Sequence, residues 1–266
     1  MQIEVEPGVS LFVQDLGAGR PVVLVAGFGL DHTAWDAEVR LLTEHHRVVC
    51  VDQRGHGRSD KPLGGYEVDR LAADLIAVLD ALDLRDVTLV GWSFGGQVAF
   101  KVAADAPERL AQLVLVGSNG VSASRTAAFP FGAPADAVEP MLVAGEQNGR
   151  LAARRAALVQ GFHGDPDPDI LNLLLQRSLR MPSWAAVACY QTMLRADLVD
   201  RIPDVRLPVL QLIGAEDPVH SAKGARWLTE QLCDAHLVEL ADCGHFPMFE
   251  APAAFDAALV EFVGSV

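Results

Sequence analysis

The chain has 266 residues, of which 50% are hydrophobic and 21% are charged, so a sizeable buried core is expected. Its 21 Lys and Arg residues against 35 Asp and Glu residues give a formal net charge of -14, the opposite of the basic surface of a nucleic-acid-binding protein. We therefore expect no nucleic-acid partner.

The sequence also gives no indication of a membrane segment. No run of about 18 apolar residues occurs, and the first ten residues, MQIEVEPGVS, lack the basic and apolar regions of a secretory signal. The four cysteines are scattered without a C-x-x-C pair, which is typical of buried thiols in a reducing compartment. We expect a cytoplasmic protein with no membrane partner, no metal site and no cofactor.

Strand-like and helical patterns alternate along most of the chain, which is typical of an α/β fold with a largely parallel sheet. The predicted strands are Ile3–Val5, Leu11–Asp15, Pro21–Ala26, Arg47–Val51, Val87–Gly91, Leu110–Val116, Pro208–Ile213 and Ala235–Leu240. The predicted helices are Trp35–Leu42, Val68–Leu82, Gly95 to about Ala104, and Ala253–Phe262. An all-apolar strand such as PVVLVA is expected where helices cover both faces of the sheet.

The stretch from about Val121 to Asp200 interrupts this alternation. It contains helical patterns and a turn segment rich in proline and aspartate, GDPDPD, but no convincing strand. Because the predicted strands on either side belong to one sheet, we interpret residues 121–200 as a helical lid inserted into the fold. Residues 1–120 and 201–266 would then form the core.

The segment GWSFGG, which begins at Gly91, contains the pattern G-x-S-x-G between a predicted strand and a predicted helix. In this context the pattern indicates a nucleophile elbow, in which a strained turn exposes the serine and the glycines allow strand and helix to approach closely. Ser93 is equally suited to be an ordinary helix N-cap. The segment alone leaves both roles open.

A serine hydroxyl becomes a nucleophile when a base takes its proton and a third group orients that base. Elbow-containing hydrolases order these groups as Ser, acid and His. Asp217 follows the seventh predicted strand and His245 follows the eighth, and Asp217 is favoured over Glu216 because Pro218 fixes the turn after it. Three other loop histidines compete for the role of base: His32, His56 and His220. We predict the set Ser93, Asp217 and His245, since only His245 lies behind the final strand.

Acyl transfer also needs donors for the oxyanion, and two backbone N–H groups are expected to supply them. One belongs to Phe94, directly after the serine. The loop after the third predicted strand reads AGFGLDHTAW, and because Gly27 and Gly29 permit a tight bend, we expect Phe28 to supply the second. Alternatively, the glycines form an ordinary turn, and Phe28 is a packed side chain without a role in binding the oxyanion.

These motifs give the chain a resemblance to the α/β-hydrolase superfamily over nearly its full length. The matching segments are AGFGLDHTAW, VDQRGHGRSDKP, GWSFGG, GAEDPV and CGHFPMFEAP. Within the superfamily the sequence is most similar to small esterases, enol-lactonases and cofactor-free perhydrolases, and GFG-x-D-x-x-x-W also resembles stress-signalling hydrolases and plant karrikin and strigolactone receptors. The resemblance implies the α/β-hydrolase fold, with a mostly parallel eight-stranded sheet flanked by helices and a helical lid.

The departures from this resemblance also bear on function. Relatives usually carry His-Gly where this chain has Ala26-Gly27, so the support of the oxyanion loop is left open. Ser93 stands where dehalogenases and epoxide hydrolases carry aspartate, and Phe246 stands where hydroxynitrile lyases carry lysine. These three activities are therefore disfavoured.

Aromatic and methionine side chains predict an apolar pocket. The predicted substrate-binding residues are Trp35, Trp92, Phe129, Phe131, Trp184, Met193 and Phe246. Because such residues also pack in cores, we expect only part of this set to touch a ligand. An apolar site suits a small, mostly uncharged substrate, and we predict a serine esterase or lactonase that acts through an acyl-enzyme.

Two alternatives remain open at this point. The same triad serves perhydrolysis with hydrogen peroxide or C–C bond hydrolysis in some relatives, and a hydrolase scaffold also serves as a signalling receptor or binding protein. The sequence carries no signature of oligomeric state.

Overall fold

The computed structural model describes residues 1–265 and is built around an eight-stranded sheet. The strands are β1 (Gln2–Glu6), β2 (Val9–Gly17), β3 (Arg20–Val25), β4 (His46–Val51), β5 (Val87–Trp92), β6 (Leu110–Val116), β7 (Val209–Gly214) and β8 (Ala235–Leu240). Their order in the sheet is β1-β2-β4-β3-β5-β6-β7-β8. The pairs β1–β2 and β2–β4 are antiparallel and the other pairs are parallel. The predicted α/β fold with a mostly parallel eight-stranded sheet is confirmed.

Helices cover both faces of this sheet. They are α1 (Asp36–Leu42), α2 (Val68–Ala81), α3 (Phe94–Asp105), α4 (Ala135–Gly161), α5 (Pro168–Ser178), α6 (Ser183–Arg195), α7 (Ala222–Gln231), α8 (Pro247–Glu250) and α9 (Pro252–Val263). Along β3, Val23 and Val25 join the core under α2 and α3, whereas Val22 and Leu24 join the core under α1 and α9. Burial on both faces explains why the strand is apolar at successive positions.

Two differences from the predicted helices have local causes. The pattern gave no sign of α7, because its sequence AKGARWLTEQ buries only Gly224, Ala225 and Leu228. Helix α4 was predicted only as part of a helical stretch without bounds, and it runs through Pro140 with a non-helical residue at Gly149. Proline and glycine are ordinarily helix-ending signals, so they hide the true length of α4 in the sequence.

Helices α4, α5 and α6 lie between β6 and β7, and α4 packs against both of the others. No strand occurs in this described interval of residues 121–200. Strands β6 and β7 are direct neighbours in the sheet. The chain therefore leaves the sheet after β6, forms three helices, and re-enters it beside the strand that it left.

Among residues 1–265, no helix combines the length and the apolar character that crossing a membrane requires.

Candidate active site

Three polar side chains meet at the carboxyl edge of the sheet. Ser93 directly follows β5, while Asp217 and His245 lie in the loops after β7 and β8. Strands β5, β6, β7 and β8 are parallel neighbours in that order, so their carboxyl ends open onto the same crevice. The topology thus brings together residues that are far apart in the sequence.

Ser93 occupies a backbone conformation that few side chains adopt. Its φ is 55° and its ψ is -120°, which lies outside the regions allowed to most non-glycine residues. The turn is held by hydrogen bonds from the Ser93 N–H to the Val116 carbonyl (2.8 Å) and from the Gly96 N–H to the Ser93 carbonyl (2.9 Å). The result is a sharp strand-to-helix turn with the serine at its apex.

The glycines around Ser93 are required by close approach. A Cβ on Gly91 would lie 2.4 Å from the Gly95 carbonyl oxygen, and one on Gly95 would lie 2.6 Å from that of Ala26. A Cβ on Gly96 would lie 2.4 Å from the Ser118 Oγ. Such distances leave no room for a side chain, so β5 and α3 can meet at this angle only with glycine there.

The three polar side chains form one chain of hydrogen bonds. His245 Nε2 lies 2.9 Å from Ser93 Oγ, and His245 Nδ1 lies 2.9 Å from Asp217 Oδ2. With the proton on Nδ1 facing the carboxylate, Nε2 accepts from the Ser93 hydroxyl. Ser93 and His245 are only 5% and 7% exposed. This is the geometry in which a histidine can remove a serine proton.

Asp217 is fixed on both carboxylate oxygens. Oδ1 accepts from the backbone N–H groups of Val219 (2.8 Å) and His220 (2.9 Å), and Oδ2 faces His245. Burial raises the pKa of Asp217, but the charge and hydrogen bonds of His245 and His220 outweigh it and hold this pKa below its usual value. Glu216 is exposed. The carboxylate that orients His245 is therefore that of Asp217.

The three competing histidines have other partners. His32 Nδ1 lies 2.9 Å from Asp52 Oδ1, and His56 Nδ1 lies 3.0 Å from the Arg54 carbonyl oxygen. The ring of His220 stacks on that of His245 with centroids 5.6 Å apart. Burial lowers the pKa of both His56 and His220 to about 4. Within residues 1–265, His245 alone contacts the hydroxyl of Ser93.

The loop after β3 passes directly beside Ser93. A Cβ on Gly27 would lie 3.0 Å from Ser93 Cβ, and the turn closes with a hydrogen bond from the Leu30 N–H to the Gly27 carbonyl (3.2 Å). Within the described residues, neither the Phe28 nor the Phe94 N–H donates to another backbone group. Phe94 is the first residue of α3, where an N–H has no acceptor within the helix. Both N–H groups are therefore free to bind an oxyanion.

The side chain of Gln53 supports the loop after β3. The side-chain amide of Gln53 donates to the Ala26 carbonyl (3.0 Å), and Asp52 accepts from the His32 N–H (2.7 Å). Gln53 is 7% exposed and follows β4, which pairs with β3. Gln53 was not among the predicted site residues, although a polar pair at the end of a buried strand is a signal of this kind of role.

A cavity of about 540 Å³ opens beside Ser93 and His245. Among the predicted pocket residues, Trp92, Met193 and Phe246 line it, and so does Phe28. Much of the remaining wall comes from α4 and α6, whose lining side chains include Val138, Leu142, Leu158 and Leu194. The candidate nucleophile therefore faces a mostly apolar chamber.

Four predicted pocket residues lie outside this cavity. Trp35 is fully buried behind Trp92, with ring centroids 6.3 Å apart. Phe129 and Phe131 pack on each other and on Trp227, and Trp184 is 50% exposed on α6. The structure corrects the prediction at these positions, because each aromatic ring faces either the core or the solvent.

Two cavity residues carry polar groups that the sequence analysis did not identify. Tyr190 lies on α6 with its ring stacked on that of Phe28 at 4.1 Å between centroids. Arg154 lies on α4 and forms a buried ion pair with Glu146 through contacts of 2.9 and 2.7 Å. Both occur in helical patterns in which polar residues ordinarily face solvent, so no sequence signal marked them as cavity residues.

Within residues 1–265, no three His, Cys, Asp or Glu side chains are grouped so as to hold a metal ion.

The family model for the alpha/beta hydrolase fold matches residues 20–252. The chain belongs to the α/β-hydrolase family. In this α/β-hydrolase, Ser93, Asp217 and His245 stand in the chain order Ser, Asp, His that the fold uses.

Individual relatives match over nearly the whole length of this α/β-hydrolase. The 3-oxoadipate enol-lactonase 2 of Acinetobacter baylyi is 30% identical over 91% of this chain and 88% of that protein. The non-heme chloroperoxidase of Streptomyces lividans is 31% identical over 97% of each. The structure of an esterase from Exiguobacterium antarcticum has a TM-score of 0.96 at 25% identity, covering 100% of this chain and 99% of that one.

Proposed function

We propose that this α/β-hydrolase cleaves a small, mostly apolar carboxylic ester or lactone through an acyl-enzyme intermediate on Ser93. The observation that carries the proposal is the hydrogen-bonded chain of Ser93, His245 and Asp217 beside an apolar cavity. The similarity to an esterase and to an enol-lactonase supports the same reaction class.

The first half of the proposed reaction forms the acyl-enzyme. Ser93 Oγ attacks the carbonyl carbon while its proton passes to His245 Nε2, and the carbonyl oxygen becomes an oxyanion held by the N–H groups of Phe28 and Phe94. His245 then gives the proton to the departing alkoxide oxygen as the C–O bond breaks. Asp217 stays ionised throughout and stabilises the positive imidazolium.

The second half releases the acid. A water molecule gives its proton to His245 Nε2 and attacks the acyl carbon, the oxyanion forms again at the same two N–H groups, and the bond to Ser93 Oγ breaks. His245 returns the proton to Ser93. No cofactor takes part in this scheme.

We further propose that residues 121–200 act as a lid over the core formed by residues 1–120 and 201–266. The support is that α4 and α6 supply much of the cavity wall opposite Ser93. Met141 on α4 lines the cavity and is 68% exposed, and Val219 beside the triad loop is 42% exposed. These two side chains would form part of the entrance through which a small-molecule substrate passes.

The proposal is tested with Ser93→Ala on a panel of short p-nitrophenyl esters and lactones. Removal of the nucleophile is expected to lower kcat on the order of 10⁴-fold or more, with an unchanged circular dichroism spectrum. Ser10→Ala, in strand β2 away from the site, serves as the matched control and should retain wild-type turnover. Full ester turnover in Ser93→Ala would contradict the proposal.

A second candidate reaction uses the same acyl-enzyme with a different acceptor, and the similarity to the chloroperoxidase of Streptomyces lividans favours it. Hydrogen peroxide would replace water, attack the acyl carbon and leave as a peracid, while Ser93 recovers its proton from His245. Peroxide-dependent bromination of monochlorodimedone in acetate buffer measures this activity. Absence of bromination by an enzyme that hydrolyses esters would remove the candidate.

A further inference from the structure

Besides Ser124 and Gln160, the cavity wall has a group of polar residues beside the oxyanion loop. Tyr190 stacks on Phe28 with an interplanar angle of 24°, and a Cβ on Gly29 would lie 3.6 Å from Ser178 Cβ. Tyr190, Ser178 and Arg154 all line the cavity. A substrate bound at Ser93 would therefore meet polar groups on this side and apolar groups over most of the remaining wall.

The charge in this polar group is already neutralised. Arg154 donates from Nε and Nη2 to the two carboxylate oxygens of Glu146, and from Nη1 and Nη2 to the carbonyls of Ser178 and Met181. The side chains of Arg154 and Glu146 are 2% and 1% exposed. Among the described residues that line the cavity, Arg154 is the only one with a permanently charged side chain. An anionic ligand group would therefore find no unpaired cation here.

The hydroxyl of Tyr190 has no such partner. Tyr190 is 7% exposed and faces the cavity, and its hydroxyl makes no hydrogen bond within residues 1–265. The other tyrosine of the chain, Tyr66, donates to the Pro62 carbonyl at 2.7 Å. The Tyr190 hydroxyl is accessible from the cavity rather than sealed in the core. The unpaired donor of Tyr190 is therefore available to a ligand.

The protonation of Tyr190 makes it a donor at every relevant pH. Burial raises its pKa to about 12, with opposing effects of Arg154 and Glu146. Its ring is fixed by the stack on Phe28 and by its place in α6. The hydroxyl therefore points from a rigid position and retains its proton.

Tyr190 and His245 line the same cavity but have different aromatic neighbours. The leaving group must face His245 Nε2, which protonates it. The aromatic neighbours of His245 in the described residues are Trp92, His220 and Phe246, whereas the aromatic neighbour of Tyr190 is Phe28. Tyr190 therefore lies beside the oxyanion loop, on a different stretch of the cavity wall from the rings around His245.

We propose that the Tyr190 hydroxyl forms a substrate subsite that selects acyl groups with an uncharged oxygen acceptor, such as a ketone, away from the reacting carbonyl. This inference rests on the proposed ester hydrolysis and adds its substrate class. The hydroxyl donates to the acceptor oxygen, while the surrounding apolar wall accommodates the methylene groups on either side. A plain alkyl chain would leave the hydroxyl unpaired, and a carboxylate would lose solvation without gaining a free cation.

The test is Tyr190→Phe, which removes the hydroxyl and keeps the ring that stacks on Phe28. The probes are two matched pairs of p-nitrophenyl esters: levulinate against pentanoate, and the 5-oxohexanoate against hexanoate. Wild type is expected to prefer an oxo ester by about three- to tenfold in kcat/KM, the range of one neutral hydrogen bond. Tyr190→Phe should abolish this preference, so that the ratio of kcat/KM for oxo ester to plain ester falls to about one.

Tyr66→Phe is the matched control, because it removes the chain's other tyrosine hydroxyl away from the cavity. It should keep the wild-type preference. Equal ratios of oxo to plain ester in wild type and Tyr190→Phe, for both pairs, would overturn the subsite while leaving ester hydrolysis intact. Loss of activity on all esters alike would also overturn it, since that pattern indicates a role in folding or in positioning Phe28.

A measurement without turnover separates the subsite from the proposed function. In the Ser93→Ala background, isothermal titration compares methyl levulinate with methyl pentanoate. The oxo ester is expected to bind about three- to tenfold more tightly, and Ser93→Ala/Tyr190→Phe should lose the difference. This result would support the subsite even if wild type hydrolysed no ester. Equal affinity for the two ligands in the Ser93→Ala protein would overturn it.

Discussion

The carboxyl edge of the sheet and the helices between β6 and β7 contribute to the same cavity in different ways. At the sheet edge, Ser93, Asp217 and His245 follow strands whose backbone hydrogen bonds fix their positions. In the helices, the cavity wall depends on which face of α4 and α6 turns inward and on the buried pair of Arg154 and Glu146. Backbone topology thus sets the chemistry, whereas side-chain packing sets what the cavity accepts.

The largest effect is expected from a substitution at the carboxyl edge of the sheet. Asp217→Asn should lower kcat on the order of 10⁴-fold, because the amide cannot hold His245 in the tautomer that accepts the Ser93 proton. Steady-state kinetics on p-nitrophenyl acetate measures the loss. The control is Glu216→Gln at the exposed neighbour, which should keep wild-type activity. A similar loss in both variants would contradict the assignment of the acid.

The next largest effect is expected from a substitution in the helices between β6 and β7. Glu146→Gln leaves the buried guanidinium of Arg154 without its counter-charge, which typically costs about 3–5 kcal/mol of unfolding free energy. Urea unfolding measures the loss, and hydrogen exchange should accelerate first in α4–α6. Glu139→Gln, which removes a partner of the exposed Arg195, is the control and should change little. An unchanged urea midpoint in Glu146→Gln would show that this ion pair does not stabilise the helices.

The contrast between the two regions explains what the sequence could predict. Strand patterns, the elbow motif and the order of Ser93, Asp217 and His245 all follow from the parallel sheet, and the sheet itself is confirmed. Of the predicted substrate-binding residues, Trp92, Met193 and Phe246 line the cavity. Trp92 follows a predicted strand, Phe246 neighbours the predicted base, and Met193 faces the sheet. Their surroundings were therefore partly known.

The rest depended on helix rotation and side-chain partners. Trp184 sits on the same helix as Met193, yet it is half exposed because helix α6 turns that face outward. Hydrophobicity alone does not tell which of two apolar residues in an amphipathic helix faces a cavity. Gln53, Tyr190 and Arg154 escaped prediction because a polar residue in a single sequence reads as solvent-exposed.

A third prediction compares two buried glutamates, one in the helices between β6 and β7 and one on α1, which covers a face of the sheet. Glu146 has the cation of Arg154, whereas Glu38 on α1 has no basic partner among residues 1–265 and its Oε2 is unpaired. Burial raises the pKa of Glu38 from 4.5 to about 7, with Asp256 and Asp36 adding to the rise. The stability that protonated Glu38 contributes is therefore complete below pH 4.5 and is lost as the pH rises through about 7.

Glu38→Gln should accordingly stabilise the protein by up to about 3 kcal/mol at pH 8 and by little at pH 5. Urea unfolding at the two pH values measures the difference. Glu44→Gln, at an exposed position, is the control and should follow the wild-type pH dependence. A gain of equal size at both pH values would show that ionisation of Glu38 is not its cause.

The smallest expected effect distinguishes the inner and outer faces of one helix, α6. Met193→Ala enlarges the cavity and should raise the preference for longer over shorter acyl chains on the order of three- to tenfold in kcat/KM. Trp184→Ala on the outer face of α6 should change this preference less than twofold, although it removes the larger side chain. The kcat/KM values over a series of p-nitrophenyl esters from acetate to octanoate measure both. A larger shift from Trp184→Ala would mean that the outer face of α6 also contacts substrate.

At position 93, the backbone conformation favours one residue for stability, whereas the proposed activity needs another. The φ of 55° and ψ of -120° are held by the fold although the side chain disfavours them, which stores on the order of 1–3 kcal/mol. Glycine adopts such angles freely, so Ser93→Gly would relax the turn and gain stability while losing the nucleophile. A chain selected for folding alone would carry glycine at this position. A serine in this strained conformation fits the proposed role of Ser93 as nucleophile.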